Sequence, residues 1–203
     1  AYIARYRRDI GAYPYSEFSV VASPLPTGFG MPTLTYIGAD VLRLPFIRAT
    51  SLGHEILHNW WGNGVYVNYE QGNWSEGLTT FMADYAFKES AANDTSRDMR
   101  LGWLRDFSAL SNEARQPLRE FRGRTHSASA AVGYGKAAML FVMLRDQIGE
   151  KAFRQGIRDF WAKNQFRVAS WQDMQAAFEG ASGLDLKAFF AGWLDASGAP
   201  KLE

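Results

Sequence analysis

The sequence contains no cysteine among its 203 residues. This absence excludes disulfide bonds, thiolate metal sites and a cysteine nucleophile. A run of about 18 consecutive apolar residues, the length that a membrane-spanning helix requires, is also lacking, so we predict no transmembrane segment. Neither sign of charge dominates, because 22 Lys and Arg balance 21 Asp and Glu for a formal net charge of +1. Without a basic excess, a nucleic-acid partner is not expected.

Apolar and aromatic residues are abundant enough to form a large core. Hydrophobic residues make up 47% of the chain and aromatic residues 15%, including 7 tryptophans. A chain of this length corresponds to about one domain, and neither a repeat nor a linker interrupts it. We therefore predict a single domain over residues 1–203. Its ends suggest a fragment of a longer protein, and the sequence leaves the cellular compartment open.

Hydropathy patterning predicts two short strands followed by a mostly helical body. The strands are expected over residues 18–22 and 33–37, with a loop rich in Pro and Gly between them. Apolar residues at helical spacing, bounded by N-cap residues and by Gly, predict the helices. These are expected over residues 2–10, 51–61 (with Thr50 or Ser51 as N-cap), 75–88, 94–110, 132–148 and 153–161, with two more capped by Ser170 and Asp185. We interpret residues 116–129 as a long loop.

The motif with the most specific chemistry is H-E-x-x-H at residues 54–58. Positions i and i+4 of a helix lie on one face, so His54 and His58 can bind one zinc ion. Glu55 then lies beside the metal but off the line of ligands, where it can accept a proton from water. The alternative is a chance match on an amphipathic helix. Two of only 3 histidines fall in this motif, which favours the metal site.

A catalytic zinc needs a third protein ligand and one open position. Glu76 is our first candidate, because a helix–loop–helix hairpin can bring its helix turn against the histidine helix. His126 and Glu70 are the rivals, but both lie in predicted loops. A lone Glu near a helix N-terminus is otherwise a surface residue that complements the helix dipole. Thr80, one turn after Glu76, either supports the ligand or is simply solvated.

Two segments together resemble the gluzincin metallopeptidases of the aminopeptidase N type. That family combines H-E-x-x-H, a Trp–aromatic–Gly–Asn run and a helix that opens with an Asn-Glu-Gly-like motif. Here residues 54–63 read H-E-I-L-H-N-W-W-G-N, and residues 74–77 read W-S-E-G. The resemblance implies three zinc ligands and a catalytic base, namely His54, His58 and Glu76 with Glu55. The gap from Asn59 to Ser75 is 75 − 59 + 1 = 17 residues, one shorter than is typical, and Ser75 replaces the usual Asn.

The similarity extends to both sides of the zinc motif. Tyr134 falls at the start of the family's Tyr-x-Lys-Gly-Ala helix, which implies that its hydroxyl donates to the oxyanion of the transition state. Residues 28–33 fall where members carry Gly-x-Met-Glu-Asn, a strand that lies along the substrate and whose Glu binds the free amine. This implies substrate contacts at Gly30, Met31 and Thr33. The amine-binding Glu itself is missing from this sequence.

The resemblance implies a fold and a function for the chain. We expect a predominantly helical α+β fold, a thermolysin-like catalytic domain with a small β element on its N-terminal side. The expected activity is hydrolysis of peptide substrates with one Zn²⁺ ion, in a parent protein that has further flanking domains. Because the amine-binding Glu is missing, two alternatives stay open. One is another hydrolase reaction at the same zinc site, and the other is a non-catalytic metal-binding or protein-interaction module.

Overall fold

A computed structural model describes residues 1–25, 28–44, 51–91, 93 and 95–199. A small β element precedes a helical body, as predicted. The described helices are α1 (Tyr2–Asp9), α2 (Ala39–Leu42), α3 (Ser51–Leu57), α4 (Ser75–Thr79), α5 (Ala86–Ser90), α6 (Ser96–Ser108), α7 (Ser127–Ala130), α8 (Ala137–Ile148), α9 (Glu150–Asn164), α10 (Trp171–Ser182) and α11 (Lys187–Leu194). Two π-helical segments link neighbouring helices: π1 (Thr80–Tyr85) joins α4 to α5, and π2 (Ala131–Lys136) joins α7 to α8.

The N-terminal β element is a three-stranded mixed sheet. Its strands are β1 (Ser19–Ser23), β2 (Gly28–Met31) and β3 (Leu34–Gly38), in the order β1-β3-β2. β1 runs parallel to β3, whereas β2 runs antiparallel to it and lies at the edge. Hydropathy patterning predicted a loop over the segment of β2, which was wrong, whereas the family resemblance implied a strand there. Two of the four residues of β2 are glycines, which have low strand propensity and no side chain to show an alternating pattern.

A second, two-stranded sheet ties distant parts of the helical body together. β4 (Tyr66–Val67) pairs in parallel with β5 (Val168–Ala169). Trp74, at the start of α4, donates from its indole Nε1 to the carbonyl of Ala169 at 2.8 Å. Strands of two residues are too short to show a periodic pattern, so sequence analysis missed this sheet.

The helix that carries H-E-x-x-H is shorter than predicted. α3 ends at Leu57 rather than at residue 61. After Leu57 the chain tightens into i to i+3 turns, with the Trp60 amide donating to the Leu57 carbonyl at 2.9 Å. The suggested N-cap residue Thr50 lies outside the described residues. Helix ends often tighten in this way to satisfy their free carbonyl groups.

The other predicted helices agree with the structure apart from their boundaries, whereas α2 was not predicted. The capping prediction for Ser170 is confirmed, because its side chain and that of Asp173 form a reciprocal capping box at the start of α10. Asp185 accepts from the amide of Lys187 at 2.9 Å, just before α11. The loop predicted over residues 116–129 ends earlier, since α7 begins at Ser127.

The core is rich in aromatic side chains directly beneath the H-E-x-x-H segment. Trp60, Trp61 and Trp74 are fully buried. Trp74 packs edge-on against Phe160 of α9 with ring centroids 5.1 Å apart, and Trp61 packs edge-on against Trp74 at 6.2 Å. Such pairs add directional stability to the burial of apolar area. The core therefore supports the loop after α3 and the start of α4 from one side.

The segment Ser127–Ile148, which comprises α7, π2 and α8, is long and apolar enough to span a membrane by length and composition alone. Strict counting of apolar runs did not identify it, because serines and glycines interrupt it. Of its most apolar stretch of 18 residues, 67% is buried inside the molecule. Burial in a protein core explains this hydropathy, so the segment is weak evidence for a membrane span.

The packing of α9 against α10 can be tested at Gly156. A Cβ atom at this position would overlap the ring of Phe178. We expect Gly156→Ala to lower the free energy of unfolding by about 1–3 kcal/mol, because overpacking forces neighbouring side chains or backbone to shift. Chemical denaturation measures the change.

Gly180 provides a matched control on α10, because an added Cβ there meets no atom within 4 Å. Gly180→Ala should raise stability by about 0.5–1 kcal/mol through helix propensity. If both variants proved equally stable, the close packing at Gly156 would be refuted.

Candidate active site

Three predicted ligand residues converge between α3 and α4. His54 lies on α3 and His58 immediately after it, with their ring centroids 4.9 Å apart. The Nε2 atom of each imidazole lies 3.5 Å from Oε2 of Glu76. One ligand atom from each residue fits within a span of 4.8 Å, the spacing of a candidate metal site. Two imidazoles and one carboxylate form a donor set that suits zinc and leaves a fourth position open.

Each imidazole is oriented through its other nitrogen. Nδ1 of His54 lies 2.7 Å from Oδ2 of Asp84, and Nδ1 of His58 lies 2.9 Å from the carbonyl oxygen of Trp61. Because a carbonyl oxygen only accepts, Nδ1 of His58 is the donor. These bonds direct both Nε2 atoms toward Glu76, and such outer partners commonly fix metal-binding histidines.

Asp84 was not identified from the sequence, which pointed to Thr80 instead. Thr80 is buried, and its Oγ1 has no hydrogen-bond partner among the described residues. It is therefore neither solvated nor a partner of the ligands. Asp84 lies in π1 and follows Glu76 by eight positions in the sequence. In a regular α-helix that spacing leaves the two side chains about 80° apart around the axis, so the sequence alone did not indicate the contact.

The start of α4 is held against the loop after α3 through Ser75. Its hydroxyl donates to the Trp61 carbonyl at 2.9 Å, the same oxygen that orients His58. Its amide donates to Oδ1 of Asn73 at 3.0 Å. Gly62 has a positive φ of 106°, and a Cβ there would come within 3.2 Å of Oγ of Ser75. A small side chain at 75 and a glycine at 62 together allow this close approach.

The electrostatics of the cluster favour a cation. Burial alone lowers the pKa of His54, but hydrogen bonds and charges from Asp84 and Glu76 outweigh it and raise that pKa to about 10. Burial also opposes ionisation of Glu76, yet His54 and His58 hold the pKa of its carboxyl well below its usual range. In the metal-free protein, a proton on His54 offsets the negative charge of the Glu76 carboxylate. A divalent ion replaces that proton when it binds such a site.

The ligand cluster lies in a cavity of about 710 Å³ that also contains Glu55 and Tyr134. The ring of Tyr134 lies roughly parallel to that of His54, with centroids 6.3 Å apart. Burial and the neighbouring Glu76 carboxylate both raise the pKa of the Tyr134 phenol. The predicted base and the predicted oxyanion donor thus both line the cavity that contains the candidate metal ligands.

The edge strand β2 forms one wall of this cavity. A Cβ at Gly30 would lie 2.9 Å from Oε2 of Glu55, so a glycine allows the strand backbone to pass close to that carboxylate. Two asparagines hold β2 and the following turn in place. Oδ1 of Asn59 accepts from the Thr33 amide in the turn at 3.0 Å, and Nδ2 of Asn63 donates to the Gly30 carbonyl of β2 at 3.3 Å. The sequence had suggested no role for these two asparagines, although Asn59 directly follows H-E-x-x-H and Asn63 lies five residues after its last histidine.

Of the predicted substrate-binding residues, Gly30 lines the cavity. Met31 ends β2 with 39% of its surface exposed, and Thr33 occupies the turn before β3 with a positive φ of 69°. Their contact with a substrate stays a prediction.

The rival ligands lie elsewhere. His126 is exposed and caps α7, where its Nδ1 accepts from the Ser129 amide at 3.2 Å. Glu70 is exposed in a short 3₁₀ turn. Neither residue belongs to the group of candidate metal ligands found among the described residues.

The sequence is similar to that of a known protein family and to several curated relatives. The profile of the Peptidase family M1 domain matches residues 48–193, well over half of the chain. The sequence is 29% identical over 155 residues to "Aminopeptidase N" of Haemophilus influenzae, covering 74% of this chain and 18% of that protein. It is also 29% identical over 161 residues to "Glutamyl aminopeptidase" of Sus scrofa, covering 76% of this chain and 17% of that protein. The chain thus spans about a fifth of the length of these relatives.

Solved structures share the fold. The M1 zinc metallopeptidase of Deinococcus radiodurans superposes with a TM-score of 0.77 at 21% identity, over 99% of this chain and 44% of that one. Native yeast LTA4 hydrolase superposes with a TM-score of 0.75 at 18% identity, over 100% of this chain and 35% of that one. These likenesses confirm the predicted fold, a mostly helical catalytic domain with few strands.

The contact between His54 and Asp84 leads to a first prediction for the site. Asp84→Asn keeps the shape of the side chain but removes the charge behind His54. We expect the affinity for zinc to fall about 10- to 100-fold, the usual effect of losing such a partner. Competition with a chromogenic chelator measures the change.

Asp106→Asn is the matched control, because Asp106 is exposed and pairs only with Arg105 in the part of the chain that is described. Its zinc affinity should equal that of the wild type. Equal affinities for all three proteins would mean that Asp84 does not support the ligand.

Proposed function

The chain belongs to peptidase family M1, and from this premise we propose that it is a zinc-dependent, aminopeptidase-like peptidase that cleaves peptide bonds with water. One observation carries the proposal. The cluster of His54, His58 and Glu76 shares a single cavity with a carboxylate and a phenol in suitable positions, those of Glu55 and Tyr134. We further propose that residues 1–203 form one catalytic domain of a longer protein.

The three ligand residues would hold a single zinc ion. When bound, zinc supplies Lewis-acid chemistry, polarising a carbonyl and lowering the pKa of water toward ~7. His54 and His58 would bind through Nε2, since their Nδ1 atoms are engaged by Asp84 and the Trp61 carbonyl. Glu76 would bind through a carboxylate oxygen.

Glu55 acts as the general base in this proposal. It lies between the two histidines in sequence and lines the cavity without belonging to the ligand group. Its carboxylate accepts the proton of the attacking water and later delivers it to the leaving amine. The close backbone of β2 at Gly30 restricts where this carboxylate can point.

Tyr134 stabilises the developing oxyanion. Its hydroxyl is a hydrogen-bond donor that neighbours Glu76 and faces the ligand cluster. A donor already in place for a developing charge needs no reorganisation during the reaction. Phe121 packs edge-on against the Tyr134 ring at 6.3 Å and so limits its rotation.

Among the described residues that line the cavity, no carboxylate is left over to bind a free N-terminal amine. The position that would supply an amine-binding Glu is occupied by Pro32 and Thr33. The carboxylates that line the described cavity are those of Glu55, Glu76 and Asp84, and each has another role. Amino-acid arylamides and N-blocked peptides should therefore both be tested as substrates.

Replacing the proposed base gives the central test. We expect Glu55→Gln to lower kcat on the better substrate about 10²- to 10⁴-fold, because an amide cannot accept the proton. Zinc content should remain one ion per chain, measured by atomic emission, since Glu55 is not a ligand.

Glu120→Gln is the control. It removes a carboxylate at an exposed position, and so shows whether the loss of any carboxylate lowers kcat. Failure of the zinc-loaded wild type to cleave either substrate class would refute the peptidase proposal and favour a non-catalytic module.

The oxyanion role predicts a distinct kinetic pattern for Tyr134→Phe. We expect kcat to fall about 10²- to 10³-fold, the usual cost of removing one oxyanion donor. KM should change little, because the interaction forms only in the transition state. Steady-state kinetics separate the two parameters.

Tyr36→Phe on β3 is the control, since Tyr36 is exposed and lies outside the described lining of the cavity. A large rise in KM with unchanged kcat for Tyr134→Phe would assign this phenol to substrate binding instead.

A further inference from the structure

The active-site cavity contains one strongly basic side chain that neither the ligand cluster nor the proposed catalytic pair uses. Among the described residues that line the cavity, Arg124 is the only lysine or arginine. We infer that Arg124 binds a carboxylate of the substrate, so that the site selects peptides with an anionic group close to the scissile bond. This inference rests on the proposed peptidase function and adds a substrate class to it.

The guanidinium of Arg124 has no partner within the described structure. The neighbouring Arg122, by contrast, is hydrogen-bonded. Its guanidinium donates to the carbonyl of Arg119 at 2.6 Å and to that of Glu70 at 3.1 Å. No described hydrogen bond or ion pair involves Arg124. A planar fork of free N–H donors matches the two oxygens of a carboxylate.

The acids of the cavity do not neutralise Arg124. Asp84 is held by Nδ1 of His54 at 2.7 Å, and Glu76 faces the Nε2 atoms of both histidines. Glu55 lies against the backbone of β2 at Gly30, on the wall of the cavity that this strand forms. The positive charge of Arg124 is therefore available to a ligand that enters the cavity.

Arg124 lines the same cavity as Tyr134, His54, His58 and Glu76. Its charge acts on the Tyr134 phenol, where it partly offsets the rise in pKa that burial and Glu76 cause. Because Tyr134 is the proposed oxyanion donor, a carboxylate on Arg124 would be near the scissile carbonyl. Both the C-terminal carboxylate of a short peptide and an acidic side chain beside the cleaved bond supply this chemistry.

The backbone around Arg124 is anchored on both sides. Before it, Asn73 donates from its amide to the Phe121 carbonyl at 2.7 Å and from Nδ2 to the Arg122 carbonyl at 3.1 Å. After it, the Thr125 amide donates to Oγ of Ser129 at 3.0 Å. The loop that carries Arg124 is thus tied to both the start of α4 and the start of α7. A side chain on an anchored backbone loses less conformational freedom when it binds.

Four peptides separate the two sources of a carboxylate. Leu-Ala with a free C-terminus is compared with Leu-Ala amide, and Leu-Glu amide is compared with Leu-Gln amide. Each is made with a free and with an acetylated N-terminus, so that amine recognition does not obscure the result. We expect the zinc-loaded chain to show about 10-fold higher kcat/KM for one carboxylate peptide than for its neutral partner, which is typical of a charge-assisted hydrogen bond.

Three variants assign the preference to the side chain. Arg124→Gln should abolish the preference, so that kcat/KM becomes equal for each carboxylate peptide and its neutral partner. Arg124→Lys should retain part of the preference, because the charge remains but the fork is lost. Arg97→Gln, an exposed change on α6, should retain all of it. Calorimetric binding of the same peptides to the Glu55→Gln protein gives a second readout that requires no turnover.

The outcomes separate failure of the carboxylate site from failure of the proposed peptidase function. Preference for free Leu-Ala assigns the C-terminal carboxylate, and preference for Leu-Glu amide assigns the acidic side chain. Cleavage of neutral and anionic peptides at equal rates, unchanged by Arg124→Gln, overturns the carboxylate site and leaves the peptidase intact. If no peptide is cleaved, the peptidase proposal fails, and equal calorimetric affinities for charged and neutral peptides then overturn the carboxylate site as well.

Discussion

The approach of one partly buried carboxylate to two imidazoles is the constraint on which the site depends. Glu76 lies 3.5 Å from Nε2 of both His54 and His58. A carboxylate in such a place is costly unless positive charge accompanies it. The surrounding elements, α3, the turns after it and the first turn of α4, all serve to keep these three side chains together. The aromatic core beneath them provides the rigid support that this arrangement requires.

The sequence predicted which three side chains converge at the candidate metal site. His54 and His58 are four residues apart, and Glu76 opens the next helix, so helical periodicity, one hairpin and the resemblance to a known family pointed to this set. Asp84 escaped prediction because π1 interrupts that periodicity. A π-helical turn contains more residues than an α-helical turn, which returns position 84 to the face of Glu76. Thr80, at the regular spacing of one turn, lies buried without a hydrogen-bond partner in the described structure.

The β element was predicted less completely from the sequence than the candidate ligands were. The strands β1 and β3 were predicted within one residue of their bounds from their β-branched and aromatic residues. Hydropathy patterning missed β2, because its glycines carry no such pattern, and only the family resemblance implied a strand there. Those same glycines are what the site requires, since a side chain at Gly30 would collide with Glu55. A local sequence rule fails here at a position where the backbone must approach a functional carboxylate.

A single carbonyl group couples the two ligand-bearing elements. The Trp61 oxygen accepts both from Nδ1 of His58 and from the hydroxyl of Ser75, the residue before Glu76. A displacement of α4 would therefore disturb the orientation of His58 as well as the position of Glu76. The loop between them is one residue shorter than is typical of the family it resembles, and the small Ser75 with Gly62 lets its two ends meet. The ligands are consequently positioned as a unit, and because metal ions stabilise the folded state that they bind, zinc should stabilise this whole junction together.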